Sequence, residues 1–461
     1  MNFAPNSAEA RDIAYHLHGQ TNIKVHEEQG PMIIERGNGV RVYDEAGAEY
    51  IEGLAGLWSV SLGFNEPRLV EAAKRQMEKL PYYHTFAHKA SSPAIDLAEK
   101  LISLAPVRMS KVIFQNSGSE AVDTAVKFVW YYHNAIGKPD KKKIIARKNA
   151  YHGSGIASAS LTGLERMHQA FDLPITDRVL RADCPHFYKC GLDGETEEEF
   201  ATRCAANLEK LIQDEGAENV AAFIAEPIMG AGGVIVPAVT YFEKIQVVLK
   251  KYDILLIADE VICGFGRTGN MWGSQTFNLK PDMITSAKAL SSSYLPISAL
   301  FINEKIYQAF RKKSSEAGVF GHGYTYAGHP VSAAVALETL KIYEERDIVG
   351  HVRRIAPVLQ TGLRQFLDHD LVGEVRGVGL ISGVELMANR DQAVSFKASD
   401  QVGPTTQTLA QKHGLIIRAM GDTIAFCPPL VINEDDICEL LQRFGKTLDA
   451  VRDWAHRQSL I

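Results

Sequence analysis

The sequence predicts an α/β protein: a mainly parallel sheet covered by helices on both faces, followed by a smaller α+β unit. Three observations lead there. From about Glu66 to Tyr326, short apolar segments alternate with helical ones. Those apolar segments are continuous, the mark of strands buried on both faces. After Pro330 the texture changes to amphipathic helices with strand-like pieces between them. The expected division is an N-terminal segment (1–65) joining the smaller domain, a large domain (66–330) and a C-terminal small domain (331–461). A chain of 461 residues exceeds one average domain.

The elements follow in order. The N-terminal segment reads as a helix from about Ala8, then short strands as far as Gly63; the stretch 40–51 is a hairpin, with turn residues between β-favouring runs. Val112-Ile113-Phe114 is a brief strand and 119–132 a helix. Ile144-Ile145-Ala146 is a strand. The stretch 197–214 is a helix with Thr196 as its N-cap. Strands are expected at 221–224, 254–257, 283–284 and 298–302. Beyond Pro330, helices are expected at 333–344, about 350–367 and 434–454, with strands around Val375, at 381–386 and at Ile416-Ile417. No internal repeat is present.

Composition excludes several classes. Apolar residues make up 46% and charged residues 23%, an ordinary globular mix. A net charge of -6 and the lack of a basic block argue against nucleic-acid binding. Lys141-Lys142-Lys143 reads as a solvated turn. The six cysteines show no paired metal spacing; Cys184 and Cys190 flank His186 but have no second ligand pair nearby. Reduced thiols in a reducing compartment, the cytoplasm, are expected. Met1-Asn2-Phe3-Ala4-Pro5 lacks a basic start and an apolar stretch, so no signal peptide is expected. No run of about 18 apolar residues occurs, so no membrane span is expected.

The chemistry concentrates between Ile254 and Ser298. An apolar run ends in Asp259 and Glu260, and the next strand delivers Lys288 ahead of the small, hydroxyl-rich stretch Ala289-Leu290-Ser291-Ser292-Ser293. Ligands of open α/β sheets bind beyond the carboxyl ends of strands. A carboxylate and a lysine placed there suit pyridoxal phosphate, whose aldehyde needs a lysine and whose ring nitrogen needs an anion. Burial would lower the lysine toward the range of a general base. Glu260 reads as a cap or turn carboxylate. Asn116-Ser117-Gly118-Ser119-Glu120 opens a helix and offers backbone N–H groups to a phosphate; the same residues also fit an ordinary capping box. Tyr151 can stack on a flat cofactor or serve as a core aromatic.

These segments resemble the class III aminotransferases of the fold-type-I pyridoxal-phosphate superfamily. The likeness runs in order through Asn116–Glu120, Tyr151-His152-Gly153, Ala225-Glu226-Pro227, Ile257–Val261, Gly264–Gly269, Lys288, Gly323–Tyr326, Gly328-His329-Pro330 and Arg376–Leu380. It implies a fold-type-I transferase with Lys288 as catalytic and cofactor-linking lysine and Asp259 as partner of the ring nitrogen. Val261 and Tyr151 would cover opposite ring faces. Ser117, Gly118 and Ser119 would bind the phosphate, and Glu226 would order the site near the ring oxygen and Tyr151. Thr325 would reach the phosphate of a neighbouring subunit, which implies a homodimer with shared sites; two or four subunits stay open. Leu57-Trp58 and Tyr82–Phe86 resemble the omega (amine:pyruvate) branch. Trp58, Phe86 and Tyr151 would line the substrate pocket, and Arg418 would clamp a carboxylate bidentately. The loop Ile228–Gly233 carries no acid, which counts against ornithine or γ-aminobutyrate as substrate.

The activity expected from the resemblance is ping-pong transfer of an amino group from a primary amine or ω-amino acid to pyruvate, giving alanine. A racemase, mutase or decarboxylase would share Lys288 and Asp259. Taurine, β-alanine, diamines and arylalkylamines all stay open as donors. The expected partners are therefore small molecules, an amine and a keto acid.

Overall fold

The computed structural model describes residues 3–175, 177–390, 392 and 394–461; Met1 and Asn2, part of the stretch read for a leader, lie outside them. Its centre is a seven-stranded sheet in the spatial order Lys111–Gln115, Ser298–Ile302, Met283–Ser286, Leu255–Asp259, Val220–Ala225, Lys143–Arg147, Val179–Ala182. The last five pair in parallel. Ser298–Ile302 runs antiparallel to both its neighbours. One strand thus opposes the rest, and the sheet is mainly parallel as the sequence predicts.

The middle strands read as apolar runs because both faces are covered. Leu256 and Ala258 enter one core, with Phe200, Leu208 and Ile212 of helix Glu197–Glu215. Leu255 and Ile257 enter a second, with Val122, Val126 and Val129 of helix Gly118–Ala135. The period-two alternation of a strand makes that division. Thr196 caps its helix as expected: its Oγ1 accepts from the Glu199 amide at 3.3 Å, and the Glu199 carboxylate accepts from the Thr196 amide at 2.8 Å.

Two four-stranded sheets flank this centre. The expected hairpin is Arg41–Asp44 with Glu49–Glu52; it gains Ile34–Asn38 on one side and, in parallel, Leu415–Ile416 on the other. The second sheet holds Val372–Val378, Ile381–Leu386, Thr423–Phe426 and Arg418–Met420. The strand expected at Ile416-Ile417 is only the two residues Leu415–Ile416, and the chain crosses at once into the other sheet. Apolar pattern cannot mark a crossing between adjacent residues. The helix expected at about 350 starts at Ile348, where the Asp347 carboxylate accepts from the Gly350 amide at 3.1 Å. No helix among the described residues is long and apolar enough to cross a membrane.

One arginine joins the glycine-broken loop of the large sheet to the smaller unit. Arg267, 3% exposed, donates through Nη1 to the carbonyls of Leu380 at 2.9 Å and Pro428 at 2.6 Å. Gly379 allows this approach: it sits at φ +63°, and a Cβ there would stand 2.4 Å from the Arg267 carbonyl oxygen. Arg267→Ala leaves two buried carbonyls unpaired, so it should destabilise the fold by about 3 kcal/mol. Denaturant unfolding of the cofactor-loaded protein checks this, and an unchanged midpoint would contradict it.

Candidate active site

The site is built from strand ends. Asp259 is the last residue of its strand, Glu226 follows Val220–Ala225 directly, and Lys288 comes two residues after Met283–Ser286. Tyr151 and His152 follow Lys143–Arg147, and Gly118 follows Lys111–Gln115 by three residues. Carboxyl ends of parallel strands open on one side of the sheet, so sequence-distant residues meet there. A cavity of about 180 Å³ is lined by Trp58, Gly118, Ser119, Tyr151, Glu226, Asp259, Val261, Lys288 and Arg418.

Asp259 is buried and fully engaged. Its Oδ2 lies 2.7 Å from Nδ1 of buried His152; its Oδ1 accepts from the Thr285 hydroxyl at 3.1 Å and the Val261 amide at 3.2 Å. These contacts fix an anion at the floor of the cavity. The other ring nitrogen of His152 is buried with no hydrogen-bond partner among the described residues. Lys288 holds φ at +50°, a conformation rare for a lysine and one that clusters at functional sites. Burial lowers its amine to about 8, although Asp259 pulls the other way.

The remaining groups shape the cavity. Glu226 accepts from the Tyr151 amide and the Gly230 amide, both at 3.0 Å, so one carboxylate holds the aromatic and the glycine-rich loop together. Burial raises its pKa. Ser119 accepts from the Ser154 amide at 3.0 Å. Gly153 sits at φ +136°, and a Cβ there would stand 2.6 Å from the Ser119 hydroxyl. A Cβ on Gly118 would stand 3.0 Å from Val261. A lysine, a fixed carboxylate, an aromatic and a glycine- and serine-lined helix start therefore fit pyridoxal phosphate. Lys288 and Asp259 would hold its aldehyde and ring nitrogen; Gly118 and Ser119 would hold its phosphate.

Three expected residues lie elsewhere. Ser117 serves as the helix cap, accepting from the Glu120 amide at 3.2 Å, so the capping-box reading describes its hydroxyl. Phe86 and Thr325 are exposed and do not line the cavity. They belong to one surface, where the Tyr82 hydroxyl donates to the Thr325 carbonyl at 2.8 Å and Phe86 packs by Gly323. Glu260 is a cap carboxylate, accepting from the Gly273 and Ser274 amides, and burial raises it to about 7.

The sequence reading missed others. His152 stood inside a quoted motif without a role. Gln20, Arg166 and Met167 also line the cavity. Nothing local in the sequence marks them: Gln20 arrives on a loop, and Arg166 and Met167 on the single helical turn Glu165–Met167. Arg418 is partly buried; burial, and then the nearby Arg166, lower its pKa. Two guanidinium groups thus face one cavity, a setting for carboxylates.

The family model for "Aminotransferase class-III" matches residues 23–448. Gamma aminobutyrate transaminase 1 (mitochondrial) of Solanum lycopersicum is 53% identical over 419 residues, 91% of this chain and 81% of that protein. Gamma-aminobutyrate transaminase 1 (mitochondrial) of Oryza sativa subsp. japonica is 53% identical over 424 residues, 92% and 82% of the two chains. The omega transaminase of Pseudomonas jessenii in complex with PMP superposes with a TM-score of 0.96 at 55% identity, covering 97% of this chain and 99% of that one. A transaminase with L-alanine gives 0.90 at 57%, covering 92% and 99%. With a lysine and a carboxylate at neighbouring strand ends, and a family match across nearly its whole length, this chain belongs to the class III aminotransferases and depends on pyridoxal phosphate.

Proposed function

We propose that this transaminase moves an amino group from a primary amine or ω-amino acid to pyruvate, giving alanine, by a ping-pong mechanism. Arg418 carries this reading: it is a partly buried guanidinium on the wall of the lysine cavity, with no carboxylate partner among the described residues. Similarity to omega transaminases and to a transaminase with L-alanine supports it. The acid-free loop Ile228–Gly233 set γ-aminobutyrate aside, but relatives at 53% identity carry that substrate in their names, so it returns as a donor to test.

Pyridoxal phosphate, when bound, supplies the aldehyde that carries the amino group and a ring that draws electrons from the substrate carbon. The protein does the rest. Lys288 Nζ, about half neutral near pH 8, takes the proton from the donor's Cα and returns one during the second half-reaction. Asp259 would face the ring nitrogen, held in place by His152, the Thr285 hydroxyl and the Val261 amide. Trp58 and Tyr151 restrict the cavity, and Arg418 orients a carboxylate with a planar pair of donors.

We further propose a homodimer with shared sites. This reading rests on the surface bearing Phe86 and Thr325, which borders a groove of about 1120 Å³ lined also by Phe320, His322 and Gly323. Six free cysteines accord with a reducing compartment such as the cytoplasm.

Four outcomes check this reading. Lys288→Ala should lower alanine formation from pyruvate by about 10³-fold or more, since a positioned acid–base group is worth roughly 10²–10⁴; retained turnover sinks it. Cofactor capture by the apoenzyme needs a neutral lysine, so its rate should rise with pH, levelling above about 8 rather than above the ordinary lysine value of 10.5. Stopped-flow absorbance measures it, and a rate flat from pH 6 to 9 contradicts it. Arg418→Gln should raise KM for pyruvate about 10–100-fold while sparing a neutral arylalkylamine donor, the loss of one charge-assisted pair of bonds. Arg166→Gln should instead raise KM for γ-aminobutyrate or β-alanine, about tenfold, and spare pyruvate. Equal effects of both variants on every substrate would refute the division of roles.

A further inference from the structure

Outside the active site, one cluster gathers four metal-ligating side chains from two small helices and the loop between them: Asp12 and His26 on the helices, His16 and His18 in the loop. Ala8–Tyr15 and Ile23–Gln29 have 8 and 7 residues, and neither buries a side chain. Helices this short are marginal alone, below the ~12–15 residues that hold in water. What joins them is Asp12. Its Oδ1 lies 3.1 Å from His16 Nδ1, and its Oδ2 lies 2.8 Å from His18 Nε2 and 2.9 Å from His26 Nε2. The rings of His16 and His18, and of His18 and His26, stand 4.3 Å apart. Side-chain exposure is 12% for His26, 19% for Asp12, 30% for His18 and 68% for His16, so the cluster is enclosed on one side and open at His16.

We propose that Asp12, His18, His26 and His16 bind one divalent transition-metal ion of the zinc type. Three imidazoles and a carboxylate are a zinc ligand set, and ligands about 2.0–2.2 Å from a tetrahedral ion stand ~3.3 Å from one another. The candidate ligand atoms of Asp12, His16 and His18 already lie within 4.8 Å of one another. Without metal each imidazole donates an N–H to that carboxylate. Binding moves each ring proton to the other nitrogen, or to solvent, and the freed lone pair takes the ion.

The site has a consequence for the active site. The loop between His18 and His26 carries Gln20, which lines the lysine cavity, holds φ at +54° and donates to Met167 Sδ at 3.1 Å. A metal ion joining His18 to His26 fixes that loop at both ends and keeps this strap over the cavity.

The experiment uses the cofactor-loaded enzyme stripped with a chelator. Co²⁺ is titrated while visible ligand-field absorption is followed beyond the cofactor band, and Zn²⁺ is then added. The expected result is saturable absorption at one ion per chain, abolished by Zn²⁺. His18→Gln and His26→Gln should each weaken it about tenfold or more, with thermal unfolding unchanged because neither residue enters a core. Zn²⁺ should also slow tryptic cleavage at Arg11 and Lys24 in the parent protein but not in the variants. No ligand-field absorption, or absorption that persists when His18→Gln and His26→Gln are combined, overturns the proposal and leaves a hydrogen-bonded cluster alone.

Discussion

The active site depends on one buried carboxylate at a strand end having a hydrogen-bond partner on every side. Asp259 sits at 3% exposure where water cannot solvate it. A lone buried carboxylate would take up a proton. Here one imidazole, one hydroxyl and one amide surround it, each supplied by a different segment. That demand explains much of the local sequence: a histidine directly after Tyr151, a threonine inside the strand before Lys288, and a turn that presents the Val261 amide. The same burial that threatens Asp259 lowers Lys288 to about 8, so one dry pocket yields both the fixed anion and the usable base.

Large parts of this were legible in the sequence because they obey local rules. The strand Leu255–Asp259 and the helix Glu197–Glu215 declare themselves through an apolar run and a capping box. The lysine and carboxylate stand at the ends of neighbouring strands, which chain order alone suggests once the sheet is parallel. Ser117 shows the limit of that reading. A serine before a helix can cap it or face a phosphate, and only the placed hydroxyl separates the two.

What stayed hidden depends on loops and distant partners. Arg166 and Gln20 reach the cavity from surface segments with no periodic signal, more than a hundred residues from Lys288. The strand pair at Leu415–Ile416 and Arg418–Met420 belongs to two sheets, a division that no hydrophobic pattern encodes. Arg418 opens the second of these strands, directly after the crossing, and lines the cavity. The residues proposed here to choose the substrate therefore lie in the least legible part of the chain, and the lysine and carboxylate in the most legible.

The central claim is that a Lys288–Asp259 pocket walled by arginines exchanges amino groups between an amine and pyruvate. An absorbance spectrum of the cofactor-loaded protein tests it most directly, recorded after adding γ-aminobutyrate, β-alanine, a diamine or an arylalkylamine with no keto acid. The account predicts that the aldehyde-form band gives way to the amine form with at least one donor, and that pyruvate restores it. A band unchanged by every donor, or restored by 2-oxoglutarate but not by pyruvate, would contradict it.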